Sequence, residues 1–451
     1  MPTPQTPPPA PDPGPAAALL TGAALAWSLF AFGAVYPWAA PPLLLLALAA
    51  AWQARAWPDP RRLTDAALIA VIAAIALQLV PMPPSLQDAV APAAREFRAA
   101  MELGAPAQAW RTLSLDPAAT RVGLALALAA FALFLAARAC AAVRGRALAR
   151  WIAWMALVAA LLGIGRKMLF PGGLVYGFWT PIESGAAAFG PIINRNHYAA
   201  WAVAAIALSA GGLVAHAIRR SEQAPARRRL VIALSDARGL WLLFAIAVST
   251  ASVIVTASRA GFIGWLAAAM TMLFAGWRRA GGRAMAVFAA IALVCLAAAM
   301  MWSRPDRLLL RIGGSEAGVG LRSEIWRESA GLAARYPIAG TGTGAFPAAM
   351  THYQTRRDLF LNHAHNQYLE IAAEGGLLLS LPLLLAIAGV AGHAWRGLAA
   401  DRGSFFWLRT GATAALVGLA VLSIWESPFR TPATLMLAAA AAGIAAAPPR
   451  R

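Results

Sequence analysis

The segment His363-Ala364-His365-Asn366-Gln367-Tyr368-Leu369-Glu370 puts two imidazoles, two amides and a carboxylate into eight residues of an otherwise apolar chain. An unperturbed imidazole titrates near roughly pH 6.5, so its neutral form can take a proton from an acceptor hydroxyl at physiological pH. Two histidines at i,i+2, without a His-x-x-x-His pair, make weak zinc ligands, and the spacing favours proton transfer over metal binding. Asn366 is placed to cap a following helix, on which Gln367, Glu370 and Glu374 would share one face, the pattern of a wet surface.

Fixed cations stand at three other places. Arg259 lies in Ser258-Arg259-Ala260-Gly261, a tight turn between apolar runs. Arg322 opens Arg322-Ser323-Glu324-Ile325-Trp326-Arg327, and Arg195 lies in Asn194-Arg195-Asn196-His197. Each also has a plainer reading. An arginine at a membrane edge can snorkel to headgroups. Glu324 and Arg327 at i,i+3 make a charged face that Arg322 can extend into solvent. Asn196 can be a helix N-cap. Capping leaves Arg195 and His197 unexplained, however, and ionisable groups at the mouth of a span need a partner. The run Gly340 to Gly344 resembles a phosphate cradle, but it has no P-loop lysine and follows no strand, so a flexible turn is the simpler expectation.

The elements that hold these residues must lie in a membrane. Sixty per cent of the residues are hydrophobic and 13% charged, with a mean hydropathy of +0.63, which excludes a soluble domain with a wetted surface. Runs of about 20 apolar residues, enough for about 30 Å of hydrocarbon, occur near 17–36, 40–57, 65–82, 120–142, 148–169, 197–217, 239–257, 260–277, 284–302, 376–396, 405–425 and 431–447. The fold class is therefore all-α and polytopic, with about twelve spans. Arginines cluster after every even-numbered span, in 55–62, 138–150, 219–238, 278–283 and 396–409, and again at Arg450 and Arg451. That pattern puts both termini in the cytoplasm and the loops after odd-numbered spans outside. An arginine in an external turn, such as Arg259, has no topological purpose and points to an anionic partner.

The net charge of +19 sits largely in the cytoplasmic loops, so nucleic acid is not an expected partner. Cys140 and Cys295 give no disulfide framework, and abundant Ala and Gly suit close helix packing. Residues 1–16, rich in Pro and without a basic n-region, read as a disordered cytoplasmic tail, and 17–302 as spans 1 to 9. Two external loops are long. The loop over 81–119 has an amphipathic stretch near Ala94 to Met101 that could lie along the interface and shows no chemistry. The loop over 303–375, before spans 10 to 12 at 376–447, has helical spacing from Leu321 to Arg335 and a stop at Tyr336-Pro337. It then carries an aromatic patch at Phe346, His352 and Tyr353, followed by the histidine segment.

Taken together, the Ser258 to Gly261 turn, Arg322 to Trp326, Pro337-Ile338-Ala339-Gly340-Thr341-Gly342, and His365 to Glu370 with Glu374-Gly375-Gly376 resemble the bacterial O-antigen ligase and polymerase superfamily. The resemblance is strongest over about 240 to 385. It implies a GT-C-type membrane glycosyltransferase of a Gram-negative inner membrane, working on the periplasmic face. Such an enzyme moves a glycan from undecaprenyl diphosphate to lipid A-core, to a growing polysaccharide or to a protein side chain. By the same resemblance Arg259 and Arg322 would bind the diphosphate and His365 would activate the acceptor. Asn194, Arg195, Asn196, His197, His363 and Asn366 would bind substrate, with no metal or other cofactor. His363 stays open as the alternative base. Ligase stands first, polymerase or protein oligosaccharyltransferase second, and a lipid-linked glycan flippase or other transporter is the reading from a different class.

Overall fold

A computed structural model describes residues 12–101, 109–169, 174–181, 187–220, 236–280, 289–290, 316–355 and 360–449. The described residues form helices and turns, with three isolated bridges and no strand. In chain order the helices are α1 (Gly14–Phe30), α2 (Ala40–Gln53), α3 (Leu63–Leu77), α4 (Pro84–Val90), α5 (Ala93–Met101), α6 (Pro117–Leu169), α7 (Arg195–Arg220) and α8 (Ala237–Val255). They continue with α9 (Arg259–Ala280), α10 (Glu316–Arg335), α11 (Phe346–Tyr353), α12 (Gln367–Ala400), α13 (Gly403–Leu422) and α14 (Pro432–Ala445). Among the described residues six are long and apolar enough to cross a membrane: α6, α7, α8, the Arg259–Trp277 part of α9, α12 and α13. Three shorter apolar helices, α1, α3 and α14, accompany them. Of the twelve expected spans, the ninth, 284–302, lies outside the described residues except for 289–290, and Cys295 lies outside them too. The expected tail over 1–16 is already helical from Gly14.

The sequence predicts two spans and a basic turn where α6 runs for 53 residues. Straight, that length would reach about 80 Å, far beyond one crossing. Both of its ends meet segments of the site region, Thr120 donating to the Thr343 carbonyl at 2.9 Å and Arg166 to that of Ala188 at 2.6 Å. The run must therefore double back, and its middle, at Arg144, pairs with Asp12. No proline interrupts its interior, and its alanines and arginines are good helix formers, so helical structure extends close to the reversal from both sides.

Small residues set the packing at the centre. α7 is buried almost continuously from His197 to Gly212. A Cβ on Gly211 would lie 2.5 Å from the Trp407 carbonyl oxygen, and one on Gly411 2.6 Å from that of Ala207, so α7 and α13 touch backbone to backbone. At the end of the bundle away from the histidines, Arg409 and Asp401 form a fully buried pair at 2.6 Å. Arg409 also donates to the Ala445 and Pro448 carbonyls that close α14. This arginine, one of those used to orient the chain, is thus a structural cation inside the protein.

α12 is broken at Gly376, where φ is +52° and ψ −156°. The break separates a short stretch, 367–375, from the long apolar one, close to where the tenth span is predicted to begin. Into it docks the glycine-rich segment. Thr341 and Gly342 N–H donate to the Ala373 and Glu374 carbonyls at 2.9 and 3.0 Å, and Leu377 and Leu378 donate back to Pro337 and Ile338 at 2.8 and 2.9 Å. Gln78 locks the joint, donating to the Ala339 and Glu374 carbonyls and accepting from the Thr343 N–H and hydroxyl. The expected flexible turn is instead a pinned one, because its amides are spent on α12. A Cβ on Gly340 would fall 2.2 Å from the Glu374 backbone, which leaves no room for a phosphate there.

The amphipathic stretch near Ala94 also departs from expectation. As α5 it lays Phe97 against His352 and Tyr353 of α11, so its apolar face covers the second loop. Replacing Asp401 by Ala strands the buried Arg409 charge. We expect a loss of about 3–5 kcal/mol, read as a lowered thermal midpoint in detergent; an unchanged midpoint would contradict the pairing.

Candidate active site

Two caps position the site. Asn194 caps α7, its Oδ1 accepting from the Asn196 N–H at 2.8 Å, and its carbonyl takes the first helical bond from Tyr198. The cap is therefore Asn194, not Asn196. Helix α7 starts two residues earlier than capping by Asn196 requires, which frees the Asn196 amide for another partner. Asn366 caps α12 as expected, accepting from the Tyr368 and Leu369 N–H groups at 3.0 and 3.1 Å. The preceding residue, His365, sits in the left-handed region at φ +47°, a costly conformation for a residue with a Cβ that aims its ring away from the helix start.

The partner is Glu426, in the connection between α13 and α14. Its Oε1 accepts from Asn196 Nδ2 at 2.8 Å and faces Arg322 Nη2 at 3.2 Å, while its Oε2 lies 3.4 Å from His365 Nδ1. The Glu426 side chain is 2% exposed, against 34% for His365 and 38% for Arg322. Burial pushes the Glu426 carboxyl up, but the hydrogen bond with His365 and the positive charge of its neighbours, Arg322 included, outweigh it and hold the group below the usual carboxylate range.

Behind His365 stand two more imidazoles. The ring of His363 lies 6.1 Å from that of His365 and 6.0 Å from that of His197, whose Nδ1 is 2.8 Å from the Thr431 hydroxyl. Nδ1 of His363 is buried without a partner among the described residues. Burial, reinforced by Arg430, keeps its ring well below the usual imidazole range and so neutral. Of the two histidines that the sequence leaves open as base, His365 is the one backed by a carboxylate.

Arg259 occupies the first turn of α9 and is exposed. Ser258 caps that turn, its Oγ accepting from the Gly261 N–H at 3.2 Å. Gly261 lets α9 close on α7, since a Cβ there would lie 2.5 Å from that of Ala199. The sequence motif thus combines a cap, a packing glycine and an exposed arginine at the start of α9. Arg195, half-buried, begins α7 and donates its N–H to the Ala187 carbonyl at 2.8 Å.

Sequence reasoning missed the connection over 423–431. Arg430 pairs with Glu370 and, at 2.6 Å, with Glu374. Ser427 donates to Glu370 at 2.7 Å, and Gln367 accepts from the Phe429 N–H at 3.1 Å. The face shared by Gln367, Glu370 and Glu374 is consequently buried rather than wet. Burial disfavours the Arg430 charge, but the two carboxylates hold it protonated even more firmly than usual. The signal was available: a carboxylate and an arginine in a short turn between apolar runs demand partners, as Arg259 does.

Because Glu426 is held below its ordinary range, its contribution to stability is complete above the unfolded carboxylate value, near about pH 4.5. It is lost as the pH falls through the lowered folded value. Glu426→Gln should therefore flatten the acid side of a thermal-midpoint against pH profile; an acid limb as steep as that of the unaltered chain would contradict this.

Residues 242–384 match the family described as O-antigen ligase. That interval contains Arg259, Arg322, His363, His365 and Asn366, whereas Asn194 to His197 and Glu426 are added by segments on either side of it. No curated protein matches the chain. The resemblance read over about 240 to 385 is thus borne out: residues 242–384 of this helical membrane protein are similar to the O-antigen ligase family.

Proposed function

We propose that the chain is a membrane glycosyltransferase that moves a glycan from undecaprenyl diphosphate to an acceptor hydroxyl at the periplasmic face of a Gram-negative inner membrane. Lipid A-core is the acceptor favoured here. The observation that carries the reading is the meeting of an imidazole and a guanidinium on one buried carboxylate, with both side chains lying in the interval that matches the O-antigen ligase family. With Nδ1 turned to Glu426, His365 keeps Nε2 for the acceptor proton. Arg322 and Arg259 offer fixed, several-donor cations to the diphosphate leaving group. Attack of the acceptor oxygen on the anomeric carbon as the diphosphate departs would invert that centre, with no metal required.

The neighbouring residues take narrower parts in this proposal. Asn194 and Asn366 act as caps, Asn196 and His197 act through Glu426 and Thr431, and Arg195 and His363 are assigned to substrate contact. An apolar cavity of about 90 Å³ between α7, α8 and α9, with Val203, Leu243, Trp265 and Met272 among its walls, supports a donor with a lipid tail. Its helices flank the Ser258 to Gly261 turn. The basic residues Arg138 and Arg279 at the opposite end support a cytoplasmic orientation of that end.

Purified chain in liposomes, given an undecaprenyl-diphosphate oligosaccharide and, in separate reactions, lipid A-core, further donor or a pilin-like protein, tests the proposal. Transfer to lipid A-core that persists with chelator and falls about 10²–10⁴-fold in His365→Ala is expected. Arg259→Ala should lower donor turnover. Product on further donor or on protein would make the chain a polymerase or a protein oligosaccharyltransferase. No transfer to any acceptor would favour a flippase.

A further inference from the structure

We propose that Glu426 couples donor binding to activation of the base: the diphosphate draws Arg322 off the shared carboxylate, which then acts undivided on His365. This rests on the reading of Arg322 and His365 given above. One buried carboxylate serves two reaction partners through different oxygens, Oε1 toward Arg322 and Oε2 toward His365. The partners differ in freedom. Arg322 is more than a third exposed on a long, flexible stem, while Glu426 is 2% exposed and tied by Asn196 at 2.8 Å. A diphosphate entering the site can therefore take Arg322 away, but Glu426 cannot follow.

The electrostatic consequence has a definite sign. The charged or titratable groups acting on Glu426 are Arg322 from α10, His365 from the segment before α12 and His197 from α7. While Arg322 is in place, its positive charge offsets the carboxylate and opposes a second positive charge on His365. Once it is engaged by the diphosphate, the carboxylate favours imidazolium, so His365 more readily accepts a proton. The acceptor O–H bond then breaks toward His365 Nε2. The acceptor oxygen bonds to the anomeric carbon, and the bond from that carbon to the diphosphate oxygen breaks with its electron pair on the diphosphate. Proton and charge balance without a further reactant. Before donor binds, the base stays weak, which protects against premature use of the acceptor.

The chain has six histidines, so ¹⁵N-histidine NMR of the full chain in nanodiscs is tractable, with His365→Ala assigning the signal. Undecaprenyl diphosphate without glycan serves as the probe, because it occupies the site but cannot react. On its addition at pH 7, the protonated-to-neutral ratio of His365 should rise about three- to tenfold. In Glu426→Gln the probe should still bind but leave that ratio nearly unchanged. Arg322→Ala should show the raised ratio without probe, while binding the probe more weakly. An equal rise in the unaltered chain and Glu426→Gln, or no rise on binding, would overturn the coupling and leave the transferase reading standing. Failure of the unaltered chain to bind the probe, measured by calorimetry, would overturn both.

Discussion

A carboxylate almost without solvent access cannot stay ionised alone, and most of the site follows from how Glu426 is satisfied. Its amide donor comes from α7, its guanidinium from α10 and its imidazole from the turn before α12. Four parts of the chain far apart in sequence are held to one another by a single negative charge. Were that charge neutralised, each partner would lose a reason for its position. The desolvation of the carboxylate, which on its own opposes folding, is offset because each donor brings an element that also packs.

A second buried network supports the first. Arg430 lies four residues after Glu426 and fixes Glu370 and Glu374 on the first turns of α12, directly after His365. Those turns end at Gly376, where the helix breaks and receives the segment from Pro337 to Thr343 under the control of Gln78. The loops thereby become rigid extensions of the bundle, and the left-handed His365 is held by structure on both sides. The mechanical route from α3 through the glycine segment to the histidines explains why so much backbone is committed to one short helix.

Much of this was legible from residue type and spacing. The Asn366 cap, the helix over 321–335 and the stop at Tyr336 follow from local rules, whereas the grouping of Arg322 with His365 came from the resemblance to the superfamily. What was not legible depends on contacts between distant segments. Glu426 and Arg430 look like ordinary turn residues until the α13–α14 connection meets the histidine segment. The Gln367, Glu370 and Glu374 face has the spacing of a solvated surface, and only Arg430, Ser427 and Phe429 reveal it as buried. The cap on α7 was missed by two residues because Asn-x-Asn offers two capping amides, and the choice is made by Glu426.

The central claim is that the carboxylate joining His365 and Arg322 marks the place where the donor diphosphate and the acceptor hydroxyl meet. A cryo-electron microscopy structure of the full chain in nanodiscs with a non-transferable undecaprenyl-diphosphate sugar analogue tests it directly. The account predicts diphosphate density on the Arg322 and Arg259 guanidinium groups, with the anomeric carbon one acceptor oxygen away from His365 Nε2. Diphosphate bound elsewhere, with His365 facing no sugar, would contradict it.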